Sequence, residues 1–185
     1  PAQVVAVISN EADAYGLERV RKAGIPAEVL DHRDYADRAQ YDAALIALID
    51  RFTPGLVVLA GFMRILTADF VEHYAGRIMN IHPSLLPKFR GLDTHARVVK
   101  AGDEEHGVTV HFVTSDLDDG PIIIQAVCRV QPDDTPDSLQ QRVHQLEYRV
   151  YPQAIKWFAE NRLTIEDGKV LLDGARNDER QRQNQ

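Results

Sequence analysis

The chain has 185 residues, 44% of them apolar, and carries a net charge of −7, which fits one globular domain with a real core. The acidic balance argues against a nucleic-acid binder, which usually presents a basic face, and the single Cys128 excludes an internal disulfide framework. No apolar run reaches the roughly 18 residues of a membrane helix, and no signal-like segment occurs, so a cytoplasmic protein is expected.

The first predicted element is a strand over Val4 to Ile8, a β-branched run ended by the turn cluster SNEADAYG. LERVRKAG reads as a helix closed by Gly24, AEVLD as a short strand, and DRAQYDAALIALIDRFTPG as a long amphipathic helix stopped at Pro54-Gly55. A buried strand, Leu56 to Gly61, precedes the helix TADFVEHYAG, which Thr67 is placed to cap. RIMNI gives a strand, THARVVKAG a helix, and GVTVHFVT and PIIIQAVCRV two further strands. DDTPDS opens a long helix running to Asn161, and Pro152 predicts a kink or break inside it. LTIEDGKVLLDG predicts a hairpin turning at Asp167-Gly168, and 175–185 a frayed tail.

Strands alternating with helices imply an α/β fold: a doubly wound, mostly parallel sheet with antiparallel additions near the C-terminus. Ligands of such sheets bind past the carboxyl ends of the strands. Gly61 to Arg64, Asn80 to His82 and Thr114 to Gly120 are therefore expected on one rim.

The stretch NIHPSLLPKFRG does not read as packing. Asn80 and His82 sit two apart, so in extended backbone both side chains leave the same face. Pro83 restricts His82 to extended conformations and so fixes the direction of the imidazole. Downstream, SDLDDGP holds Asp116, Asp118 and Asp119. A calcium loop fails on spacing, because Gly120 and Pro121 stand where an acidic or amide ligand and then a glycine are needed. Asp118 beside His82 would instead orient the ring for proton transfer.

An amide, an imidazole and a carboxylate, with no adjacent serine or cysteine, suit transfer of an acyl group directly onto an amine. Asn80 would stabilise the oxyanion and His82 would carry the proton. Seven histidines include no H-E-x-x-H, and His106 and His111 flank a strand at unhelpful spacing, so no metal is expected. Lys88, Arg90, Arg97 and Lys100 against Asp93 alone make a locally cationic segment, compatible with a small anionic substrate.

AGFMRIL, NIHPSLLPKFRGLDTH, AGDEEHGVTVHFVTSDLDDGPII and VYPQAIKWFAENRL together resemble the folate-dependent phosphoribosylglycinamide formyltransferase family of purine synthesis, from Val5 to Gly174. The resemblance implies formyl transfer from 10-formyltetrahydrofolate to the amine of glycinamide ribonucleotide. It assigns catalysis to Asn80, His82 and Asp118, without a metal. It implies a pterin pocket at Arg64, Ile65, Leu66, Asn80, Thr114, Ser115 and Asp118, with Val71 and Ile78 either as further apolar walls or, equally, as ordinary core. The substrate's glycinamide end would meet Gly61, Met63, Asn80 and Glu147. Small molecules are the implied partners, with no nucleic acid and no membrane, in a monomer or homodimer.

Two positions depart from the family pattern: Asp93 stands where a histidine is frequent, and His144 where some members carry glutamine. The formyltransferase domain is expected over 1–174. The family also has an earlier strand and a Gly-Ser-Asn-rich loop that holds the substrate phosphate at a helix N-terminus. Neither occurs in this sequence, so a further βα unit of about 25–30 residues is expected outside it. Without that unit, weakened folate binding and a barely held ribonucleotide are expected. A deformylase passing the formyl group to water, an enzyme formylating methionyl-tRNA, and a folate-binding relative without turnover share the Asn-x-His and Asp arrangement. The intact trio and GLDTH…AGDEEHG favour the ribonucleotide enzyme.

Overall fold

The computed structural model describes residues 2–176. β1 (Val7–Ser9) and β2 (Ala27–Val29) pair in parallel across α1 (Tyr15–Lys22) and form a two-stranded sheet of their own. After α2 (Arg38–Asp50) come β3 (Val57–Leu59), α3 (Ala68–His73) and β4 (Ile78–His82). Then follow α4 (Thr94–Ala101), β5 (Glu105–Phe112), β6 (Ile122–Arg129) and α5 (Pro136–Ala159). The hairpin β7 (Leu163–Glu166) and β8 (Lys169–Leu172) is joined by β9 (Ala175–Arg176).

Helix starts follow from their caps. Asp37 accepts from Gln40 N, Thr67 from Phe70 N as its sequence position predicts, and Thr135 and Ser138 cap each other's backbone reciprocally. The Asp167-Gly168 turn has φ of 50° and 71°, the left-handed pair a two-residue hairpin needs.

The α/β class and the antiparallel C-terminal strands match expectation, but the central sheet is mixed rather than mostly parallel. Its order is β3-β4-β5-β6, with β3 and β4 parallel and both β4–β5 and β5–β6 antiparallel. Periodicity carries no strand direction, which is why the sequence suggested otherwise. Pro152 is also accommodated without a break, since α5 runs continuously past it. Regular structure continues two residues beyond 174 through β9, and the rest of the predicted tail lies outside the described residues.

Two clusters hold the layers together. Met79, Val108, Val110, Phe112 and Ile124 of the sheet pack against Val143, Leu146, Val150 and Trp157 of α5. Tyr41, Leu45 and Ile49 of α2 pack against Phe70, Tyr74 and Ile78. Each large side chain buried this way contributes about 1.5–3 kcal/mol. The Tyr151 hydroxyl on α5 donates to the carbonyls of Leu59 (2.5 Å) and Met79 (3.2 Å), tying that helix to β3 and β4. Among the described residues, no helix is long and apolar enough to cross a membrane.

Candidate active site

β4 delivers Asn80 and His82 to one face of the sheet, because residues two apart in a strand share a face. Asn80 is paired with His111 of β5, so that imidazole joins the same face. Asp118 arrives differently from the single-rim expectation. β5 is antiparallel to β4, so its carboxyl end lies beside Ile78 and Met79, away from His82. The loop 113–121 folds back over the sheet and sets Asp118 Oδ2 3.4 Å from His82 Nδ1. Gly120 permits that return: a Cβ there would lie 1.7 Å from the Phe112 carbonyl oxygen. Asp118 itself has φ of 50°, a left-handed conformation that aspartate tolerates better than most residues.

The trio's hydrogen bonds constrain its protons. His82 is 5% exposed, and its Nε2 lies 2.9 Å from the Phe89 carbonyl, which can only accept. Nε2 therefore carries a proton. Nδ1 and Asp118 Oδ2, both acceptors when unprotonated, face each other across 3.4 Å and are poised to share one further, exchangeable proton. Asp118 Oδ2 also accepts from Gly91 N at 3.0 Å, and Arg90 is ion-paired with neighbouring Asp119. Both contacts tie the segment after β4 to the aspartate loop. Phe89, whose ring lies against Arg97, has φ of 52°, a strained conformation for an aromatic residue at the point where the carbonyl meets His82.

His111 was passed over in the sequence except as a poor metal ligand. Its Nδ1 lies 2.9 Å from the Phe112 carbonyl and so donates, which leaves Nε2 as the acceptor for Asn80 Nδ2 at 3.4 Å. Burial holds the His111 pKa below the usual histidine range, favouring this neutral tautomer. The result fixes the Asn80 amide with one N–H engaged and the other available. Nothing in the one-dimensional pattern links positions 80 and 111; only the strand register does.

The other expected site residues fall in four places. Gly61 (φ 65°) follows β3 and leads into an irregular segment that bends at Arg64. There Phe62, Arg64 and Leu66 turn inward, while Met63 (78% exposed) and Ile65 (58% exposed) face out. Val71, Thr114 and Ser115 line an open cleft of about 430 Å³ together with α3 and Ile165, but none of Asn80, His82 and Asp118 lines it. Ile78 is fully buried in the α2–α3 cluster, so it serves the core and forms no pocket wall. Glu147 sits on α5, its carboxyl pushed above the usual range by burial with His144 opposing, and its ion pair is with His144 Nε2 at 4.0 Å. Among the described residues no hydrogen bond joins it to the trio, and no cluster of three His, Cys, Asp or Glu could hold a metal.

Away from the trio, His95 Nδ1 of α4 lies 3.0 Å from His106 Nε2 at the start of β5. Burial lowers both, His106 to about 4. The unfolded chain therefore binds more protons than the folded one between about pH 4 and 6.5, and stability should fall as pH drops through that window. The loss for His106 is of order 3 kcal/mol. Thermal melts from pH 7 to 4 are expected to show the decline, and His106→Gln to flatten it; an unchanged slope would count against this account.

A family model described as Formyl transferase matches residues 1–155. The chain belongs to the formyl transferase family, a class of α/β enzymes with this mixed sheet. The phosphoribosylglycinamide formyltransferase of Escherichia coli (strain K12) is 53% identical over 173 residues, covering 94% of this chain and 82% of its own length. A solved phosphoribosylglycinamide formyltransferase from Coxiella burnetii superposes with a TM-score of 0.90 at 51% identity, over 94% of this chain and 82% of its own. Within the family, then, the chain stands among the phosphoribosylglycinamide formyltransferases. A formyltetrahydrofolate deformylase from Burkholderia mallei shares the fold at 32% identity and a TM-score of 0.81, over 91% of this chain and 59% of its own.

Proposed function

We propose that this site transfers a formyl group from 10-formyltetrahydrofolate to the amine of glycinamide ribonucleotide, with Asn80, His82 and Asp118 as the catalytic groups. The amine nitrogen attacks the formyl carbon, and the carbonyl oxygen becomes an oxyanion that the free N–H of Asn80 stabilises. The attacking nitrogen gives its surplus proton to the His82–Asp118 pair. That proton then passes to N10 of the folate as the carbon–N10 bond breaks, so the pair ends as it began. The observation that carries this reading is the His82 ring held between an acceptor on Nε2 and the Asp118 carboxylate on Nδ1, beside an oriented amide.

The surroundings support direct transfer over a covalent route. Burial raises the Cys128 thiol, which disfavours the thiolate, and the Ser84 hydroxyl is fully buried and donates to the Lys88 carbonyl. The outward-facing Ile65 supports contact with the folate, alongside backbone groups of Arg64 and Leu66. Gly61 and Met63 remain the proposed neighbours of the glycinamide end, together with Glu147, and Thr114 and Ser115 those of the pterin.

Incubating the protein with both substrates tests the reading. Formyl-glycinamide ribonucleotide is the expected product; free formate would support the deformylase reading instead, and no turnover a binding-only relative. Asn80→Ala should lower kcat by about 10²–10³-fold, since it removes one oxyanion donor. A loss under threefold in steady-state kinetics would contradict the role given to Asn80.

A further inference from the structure

The segment from Gly61 to Leu66 has its own foundation, and α2 supplies it. Asp42 is 2% exposed, yet its carboxylate accepts from Thr67 N at 2.6 Å, immediately after Leu66. The preceding residue, Tyr41, is 1% exposed and lies under the Arg64 guanidinium, 5.1 Å from ring centroid to the central carbon. Arg64 Nε is the one buried side-chain nitrogen or oxygen without a hydrogen-bond partner among the described residues. Its attachment to the core is thus through the Tyr41 face. Phe62 and Leu66 complete the inner side by packing on the Tyr41–Leu45–Phe70 cluster.

We infer that Asp42 and Tyr41 are positioning residues that hold the 61–66 segment in the one conformation able to receive the formyl donor. Along this segment, which bends at Arg64, half-buried Phe62, Arg64 and Leu66 alternate with exposed Met63 and Ile65, so anchoring the first three fixes where the other two point. The last anchor is a buried carboxylate on a backbone N–H. A fully buried acid offering such a bond is costly unless the bond is made, so the contact is strongly two-sided. Losing it frees the end of the segment, and donor affinity then falls by the fraction of time the segment is correctly placed. Asn80, His82 and Asp118 stand on other elements and keep their geometry.

This inference rests on the reading that the 61–66 segment meets the folate. Steady-state kinetics with each substrate varied separately tests it. Asp42→Ala should raise the donor KM by about 5- to 100-fold. The amine-substrate KM, set by Gly61 and Met63 at the β3 end of the segment, should rise less, kcat should stay within about twofold, and Asp42→Asn, which keeps an acceptor oxygen, should recover most of the loss. A merely structural role would instead move both KM values together, or leave neither rescued, and that result overturns the inference. Ile65→Asp, on the outward face, separates the two statements. If it raises the donor KM while Asp42→Ala does not, the positioning role alone falls. If Ile65→Asp leaves the donor KM unchanged, the segment does not meet the folate and both fall.

Discussion

Replacing His82 by alanine is expected to cut kcat by about 10²–10⁴-fold while leaving both KM values within a few-fold. The asymmetry is the informative part. His82 is 5% exposed and its ring nitrogens are engaged by Phe89 O and Asp118, so it contributes little surface for ground-state binding. In the proposed mechanism its work falls in the step where the attacking nitrogen sheds a proton. An interaction made only there lowers kcat and kcat/KM together. Removing the ring also leaves Asp118 as a buried carboxylate with fewer partners, so His82→Gln is the better-matched control for folding. Stopped-assay product formation on both variants checks the expectation. Activity within tenfold of the parent, with both variants folded, would remove His82 from the mechanism.

Asp118→Asn should cost about 10²–10³ in kcat, with little loss of stability. The asparagine carbonyl can still accept from Gly91 N, so the loop keeps its tie to the segment after β4. What changes is the partner of His82 Nδ1: an acid that can hold or release a proton becomes an amide that cannot. The neighbouring Asp119→Asn supplies the contrast. Asp119 is half exposed and ion-paired with Arg90, an interaction of the kind that contributes about 0–1 kcal/mol. Its loss should leave kcat within about threefold. Parallel kinetic and melting measurements distinguish the two aspartates, and equal effects would mean the loop matters only as a whole.

Much of the candidate site's geometry was legible because its logic is local. Asn80 and His82 read directly from a two-residue spacing and a following proline, and Thr67 read as a cap from its position before an apolar helix. The sheet was less legible. GVTVHFVT looks the same whether it runs parallel or antiparallel to RIMNI, and that choice decides which end of β5 the aspartate loop leaves from. The loop still reaches His82, by folding back over the sheet through a return that only Gly120 permits. Ile78 was left open between pocket wall and core, because the two are the same apolar residue until burial is known. His111 and Asp42 carried no signal at all. Each acts through a partner far along the chain, 31 and 25 residues away, that only the folded register brings near.

A crystal structure with a stable tetrahedral adduct of the two substrates tests the convergence of the trio most directly. The account predicts the adduct's oxygen about 2.7–3.1 Å from Asn80 Nδ2, with the His82–Asp118 pair within hydrogen-bond reach of its nitrogens. An adduct seated in the cleft between Val71 and Ile165, out of reach of all three side chains, would contradict it.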